Sequence, residues 1–245
     1  MKTTINEVVE DAIILKRTPY KDNDYILHVY TKTYGKLGII ARGARKMTSK
    51  NASSIQDLMT SELTFHLKKG LCLLMKAQPI HYYPQIKENI ECEIIANYVL
   101  EYFYRYAGDN QPQEGCYETI IAALDALEKG YPPLLVYLLF DVFMLKQNGV
   151  ELQVDGCAIC GQPEVVSISI GDGGFVCMNH LKQRQFFDVE VLKAFRYIQK
   201  VPMASIGQLH IEYSVLLELY DIMKAFVDEY TGIVLKTQKF VEQII

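Results

Sequence analysis

Cys157, Cys160, Cys177 and His180 are the side chains of this 245-residue chain best equipped for chemistry. They form a Cys-x2-Cys pair and a Cys-x2-His pair, separated by sixteen residues. Two such pairs place four soft donors at two tight turns, which suits the tetrahedral N/S shell that zinc takes in closed structural sites. Glycines stand where the turns need them: Gly156 before the first pair, Gly161 after it, and Gly171, Gly173 and Gly174 ahead of the second. A glycine after the first pair lets the backbone turn back at positive φ. A disulfide is the competing reading of the same cysteines. Four protein ligands leave no open position for a reactive water, so a metal here is structural rather than catalytic. Asp172 lies between the pairs, but nothing in the sequence positions it as a base. His180 is the ligand with rivals, since Asn179 or a residue from elsewhere could take its place. The segment 154–181 is rich in glycine and poor in core residues, so a bound metal would supply folding energy the segment lacks.

A second cluster has different chemistry. Arg42, Arg45, Lys46 and Lys50 fall within nine residues, with no acid before Asp57. Lys36 leads into the segment, and Lys16 and Arg17 could extend it. Gly43, Thr48, Ser49, Asn51 and Ser53 leave the backbone free to follow a phosphate chain and donate hydrogen bonds. Tyr20, Tyr30 and Tyr34 lie nearby, the residue type on which single-stranded bases stack; Tyr20 and Tyr34 are the stacking candidates. A solvated loop beside core tyrosines is the alternative, and for any one tyrosine it is the stronger reading. Charge distribution favours a polyanion partner for this half. Residues 1–80 hold 13 Lys and Arg against 7 Asp and Glu, while residues 81–245 hold 12 against 22, within a net charge of −4.

The elements that must position these groups change in period once along the chain. Strands are expected at 8–16, 25–31, 36–42, 58–67 and 71–79, with a loop at 18–24 and a long polar connection at 43–57. Five short strands with one long connection after the third match a small OB-type barrel, and an SH3-like barrel stays open as the alternative. From Ile86 the apolar spacing turns helical up to Gly108, then again over 116–129, from Pro133 to Asn148, over 188–200 and from 212 to about Tyr230. The segment after Pro133 is apolar nearly all round and must sit inside a bundle. The expectation is thus a multidomain α+β protein. It has an OB-type barrel at 1–84 and an all-α domain at 85–245, carrying a zinc-knuckle insertion at 154–181.

The first residues lack the pattern of a secretory signal, and the longest apolar run, 134–145, is too short to cross a bilayer. A cytoplasmic protein with no membrane partner is expected, with Cys72, Cys92 and Cys116 as buried free thiols. Phosphate-loop, nucleophile-elbow, zincin and dinucleotide-binding motifs are absent from the sequence, which argues against an enzyme.

Three stretches carry a resemblance: the opening from Asp11 to Tyr20, then Tyr30-Thr31-x3-Gly35-Lys36, then Ala41-Arg-Gly-Ala-Arg-Lys46 with Ser49-Lys50. They resemble the N-terminal barrel of the bacterial RecO family of recombination-repair proteins. The 138–149 helix followed by Cys157-Ala-Ile-Cys160-Gly161 and Gly173-Gly174-x2-Cys177 is similar to that family's zinc-bearing helical domain. At the fourth zinc position this chain has His180, where other members have Cys or lack the site. The resemblance implies a non-enzymatic mediator that binds single- and double-stranded DNA and anneals complementary strands. It implies work with RecR to load RecA onto strands coated by single-stranded-DNA-binding protein (SSB), whose acidic C-terminal tail docks on the helical domain. It also implies a cytoplasmic, nucleoid-associated location. An RNA-binding OB protein and a protein-interaction scaffold are the rivals that the residues alone allow.

Overall fold

The computed structural model of the chain describes residues 6–183 and 185–245, so the first five residues of the expected barrel domain lie outside the described residues. Five strands, β1 (Asn6–Tyr20), β2 (Asp24–Thr31), β3 (Gly35–Ala41), β4 (Thr60–Leu67) and β5 (Cys72–His81), close into a barrel in the order β1-β2-β3-β5-β4. All pairs are antiparallel except β3 with β5, which is the OB-type arrangement. Inward residues alternate along each strand, Leu27 and Val29, Leu37 and Ile39, Leu63 and Phe65, Cys72 and Leu74, all buried. β1 serves two neighbours. Residues 6–13 pair with β4 and 12–20 with β2, and the register shifts between Ile14 and Lys16. An extra residue at that point bends the strand, as closing a small barrel requires.

The expected 18–24 loop is shorter than its composition suggests. Thr18, Pro19 and Tyr20 stay in β1 opposite Ile26, Tyr25 and Asp24, leaving a turn at 21–23. By residue 19 the strand has β2 as its one remaining neighbour, so proline's missing donor interrupts no second ladder.

The expected helix from Ile86 is two helices, α1 (Pro84–Glu88) and α2 (Ile90–Tyr106). Asn89 separates them, its side chain accepting the N–H groups of Glu91 at 2.9 Å and Cys92 at 3.2 Å as an N-cap. α3 (Cys116–Glu128) follows, and the Glu128 carboxylate accepts the Gln85 and Ile86 N–H groups at the start of α1. α2 packs on the barrel. Tyr30, on the outer face of β2, is buried there with its ring 5.7 Å from that of Phe103. Gly35 meets the loop after α2 so closely that a Cβ would lie 2.6 Å from the Gln111 carbonyl, at a φ of +66°. Packing therefore divides the chain later than the change of period at Tyr83–Pro84. One compact unit runs to Lys129 and includes Leu235–Val241; the other is Gly130–Val234 with Glu242–Ile245.

In the second unit α4 (Pro133–Gln147) has eleven buried residues and packs against α5 (Val189–Lys200) and α6 (Tyr213–Thr231), as an all-round apolar helix must. Between α4 and α5 lies the cysteine segment with a two-stranded sheet, β6 (Ser167–Ser169) and β7 (Gly174–Val176). A final helix, α7 (Gln238–Ile244), has no counterpart in the sequence expectation. Among the described residues, no helix is long and apolar enough to cross a membrane.

Candidate nucleic-acid interface and metal centre

One end of the barrel gathers positive charge. The segment after β3 returns to the β1–β2 turn through three contacts. The Arg45 N–H donates to the Asn23 carbonyl at 2.9 Å, the Gly43 N–H to Asp24 Oδ1 at 2.7 Å, and the Arg45 guanidinium to the Lys21 carbonyl at 3.2 Å. Ala44 is buried and anchors this stretch to the core. Arg17 and Arg45 both lie over the Tyr25 ring, at 5.2 and 5.9 Å, and Lys21 lies 5.3 Å from that of Tyr20. Such contacts hold guanidinium groups in place without neutralising them. Arg42, Arg45, Lys46 and Lys50 are exposed. Lys16, also exposed, sits 4.8 Å over the ring of Tyr104 on α2. Among the described residues, none of these five has a carboxylate partner.

Three expected members have other duties. Lys36 is 13% exposed, donates to the Tyr104 carbonyl at 3.0 Å and pairs with Asp109 at 3.4 Å, so its charge is spent inside the unit. Arg17 makes two bonds to the Asp57 carboxylate, at 3.2 and 3.0 Å. Tyr34 packs against the barrel core, edge-on to Phe65 at 6.5 Å, whereas Tyr20 is exposed at the cationic end. Sequence reasoning missed Lys21, Tyr25 and Tyr104. Lys21 lay inside the recognised polar turn, but only the fold shows that this turn meets the 43–45 segment. His28, edge-on to Tyr104 at 4.9 Å, records the local field: burial, then the charges of Lys16 and Lys36, push its pKa below the ordinary value of 6.5.

The metal-type cluster belongs to the second unit. The ligand atoms of Cys157, Cys160, Cys177 and His180 all lie within 4.8 Å of one another. Cys160 Sγ is 3.8 Å from Cys177 Sγ, and His180 Nδ1 is 3.6 Å from Cys157 Sγ and 3.3 Å from Cys177 Sγ. A tetrahedral zinc with ordinary bond lengths demands sulfur–sulfur edges of about 3.8 Å and sulfur–nitrogen edges of about 3.6 Å. The Cys160–Cys177 and Cys157–His180 separations match those edges, the four atoms together fall within 4.8 Å, and the cysteines are unbridged. The first turn is closed by the Gly161 N–H donating to the Cys157 carbonyl at 2.8 Å, with Gly161 at a φ of +76°. Burial pushes the Cys157 thiol up, but backbone N–H groups of Cys177, Ile159 and Cys160 outweigh it and bring the pKa to about 6. The second turn follows β7, whose Phe175 starts an aromatic row. Phe175 lies 5.5 Å from Phe195, Phe195 is stacked at 5.9 Å on Phe226, and Phe226 at 6.1 Å on Tyr230. Arg196 adds a bond to the Val154 carbonyl at 2.6 Å. The cluster is thus tied to α5 and α6, and it fits a closed metal site.

Two family models match the chain: Recombination protein O N terminal over residues 3–83, and Recombination protein O C terminal over residues 88–239. Curated relatives agree over nearly full length. DNA repair protein RecO of Listeria monocytogenes serotype 4a (strain HCC23) is 27% identical over 238 residues, covering 96% of this chain and 93% of the relative. DNA repair protein RecO of Bacillus mycoides (strain KBAB4) is 26% identical, covering 96% of both chains.

Proposed function

The chain belongs to the recombination protein O (RecO) family, and from that premise we propose that it acts in DNA repair as a recombination mediator without covalent chemistry of its own. The observation that supports a DNA-binding role is that Arg42, Arg45, Lys46 and Lys50 follow one another on the segment after β3 and, like Lys16 on β1, are exposed and without carboxylate partners among the described residues. These cations hold the phosphates of single- and double-stranded DNA, and Tyr20 offers an exposed ring for stacking. Two strands held on one cationic surface repel each other less, so base pairing proceeds and annealing follows. With RecR, the protein then loads RecA onto SSB-coated strands, the acidic tail of SSB docking on the helical domain. Cys157, Cys160, Cys177 and His180 hold a structural zinc that stabilises the helical unit. The site of action is the cytoplasm, at the nucleoid.

The test is annealing of complementary strands coated with SSB, comparing the wild type with the triple variant Arg42→Ala, Arg45→Ala, Lys46→Ala. The wild type accelerates annealing and the triple variant does so far less. A wild type that leaves the annealing rate unmoved sinks the proposal.

A further inference from the structure

Met47 is fully exposed, at 105%, and it stands in the middle of the cationic segment. Scattered apolar residues on a surface are ordinary, so exposure alone decides nothing. What distinguishes Met47 is that the loop holding it is fixed at both ends. On the near side, residues 43–45 are tied to the β1–β2 turn by the bonds to Asn23, Asp24 and Lys21. On the far side, Asn51 Oδ1 accepts the Ala77 N–H at 3.1 Å, which ties the loop to β5. Between the anchors the backbone makes successive turns, the Lys46 N–H donating to the Gly43 carbonyl at 3.1 Å and the Ser49 N–H to the Lys46 carbonyl at 3.0 Å. The result is a short turret. Its exposed tip, 46–48, presents one unbranched apolar side chain between two cations, Lys46 and Lys50.

Resting on the proposed DNA-binding role, we infer that Met47 is a wedge that inserts between neighbouring bases of the bound strand while the flanking cations hold its phosphates. The charge of the tip selects a polyanion as the occupant. An apolar residue on a fixed support is the device by which proteins unstack a base step, and methionine is among the residues that do so. Its thioether also packs favourably against aromatic faces. Unstacking costs least where bases are already unpaired or mismatched, so the wedge makes the protein prefer single strands and forks over perfect duplex. Strands held unstacked expose their pairing edges, which suits annealing.

The experiment uses the intact protein and DNA carrying one 2-aminopurine, a base whose fluorescence rises on unstacking, in a single strand, a fork and a perfect duplex. Variants are Met47→Ala and Met47→Leu. Wild type and Met47→Leu enhance the fluorescence of the single strand and fork. Met47→Ala loses most of that enhancement and about tenfold of the preference for single strand over duplex, while the salt dependence of binding stays as in the wild type. An undiminished fluorescence change in Met47→Ala overturns the wedge and leaves the DNA-binding role standing. Absence of salt-dependent binding by the wild type overturns both, and the two failures are told apart by that binding curve.

Discussion

The salt dependence of DNA binding follows from the exposed cations of the barrel. Seven cations were expected from sequence to meet DNA, but Lys36 is paired with Asp109 and Arg17 with Asp57. Five of them remain to meet phosphates, Lys16, Arg42, Arg45, Lys46 and Lys50, and the exposed Lys21 of the β1–β2 turn makes six. Each neutralised phosphate of a single strand contributes about −0.7 to the slope of log affinity against log salt, so six give about −4.2. Raising salt from about 50 to about 200 mM should then weaken binding by about 300-fold. Removing Arg42, Arg45 and Lys46 together leaves three contacts, a slope of about −2.1 and a loss of about twentyfold over the same range. Lys36→Met is the discriminating control, because a charge spent on Asp109 and the Tyr104 carbonyl cannot release a counterion from DNA. Fluorescence anisotropy of a labelled single strand, titrated at four or five salt concentrations, reads all three slopes. A triple variant with the wild-type slope, or a Lys36 variant that flattens it, refutes the assignment of charges.

The other expectations concern stability. Stripping metal with a strong chelator should lower the thermal midpoint and release about one zinc per chain to a colorimetric dye, with single-strand affinity changed less than about twofold; loss of DNA binding without loss of stability contradicts a structural role. Gly35→Ala adds a Cβ against the Gln111 backbone at positive φ and should cost about 3 kcal/mol in urea unfolding; a neutral substitution would mean that barrel and loop part easily. Burial pushes the Glu101 carboxyl up, but the N–H groups of Thr237 and Lys236 and the Arg105 side chain outweigh it, holding the group below its ordinary 4.5. A depressed folded-state pKa gives stability that is present above the ordinary carboxylate range and lost as pH falls through the folded value. Glu101→Gln should therefore cost about 1 to 3 kcal/mol at neutral pH, and the difference should shrink towards pH 3; an equal difference at both ends of that range rules out the charged bond.

Much of this was legible in the chain because the signals are local. Period-2 alternation over Tyr25–Thr31 puts Leu27 and Val29 on one face of the strand, and the barrel buries that face. The spacing of Cys157, Cys160, Cys177 and His180 needs only two tight turns to bring the four donors together. The break at Asn89 was harder, since the apolar repeat runs through it and only the cap bonds to Glu91 and Cys92 show the interruption. α7 was missed because seven residues carry too little periodicity to stand out from a loop.

The sequence by itself determined the five barrel strands, the apolar centre of the helical bundle, the metal-type cluster and the presence of a cationic segment. Each depends on residue type at short spacing. Only the tertiary structure decided which cations remain available, because that depends on carboxylates and carbonyls distant in the chain. Lys36 meets Asp109 and Tyr104 of the helical segment, and Arg17 meets Asp57 across forty residues. It likewise decided that Tyr30 is covered by α2 while Tyr20 stays in water, and that the 43–50 segment is held at both ends with Met47 at its tip. Pairing and exposure are properties of the assembled surface, where desolvation and Coulomb terms are set by whichever groups the fold brings near.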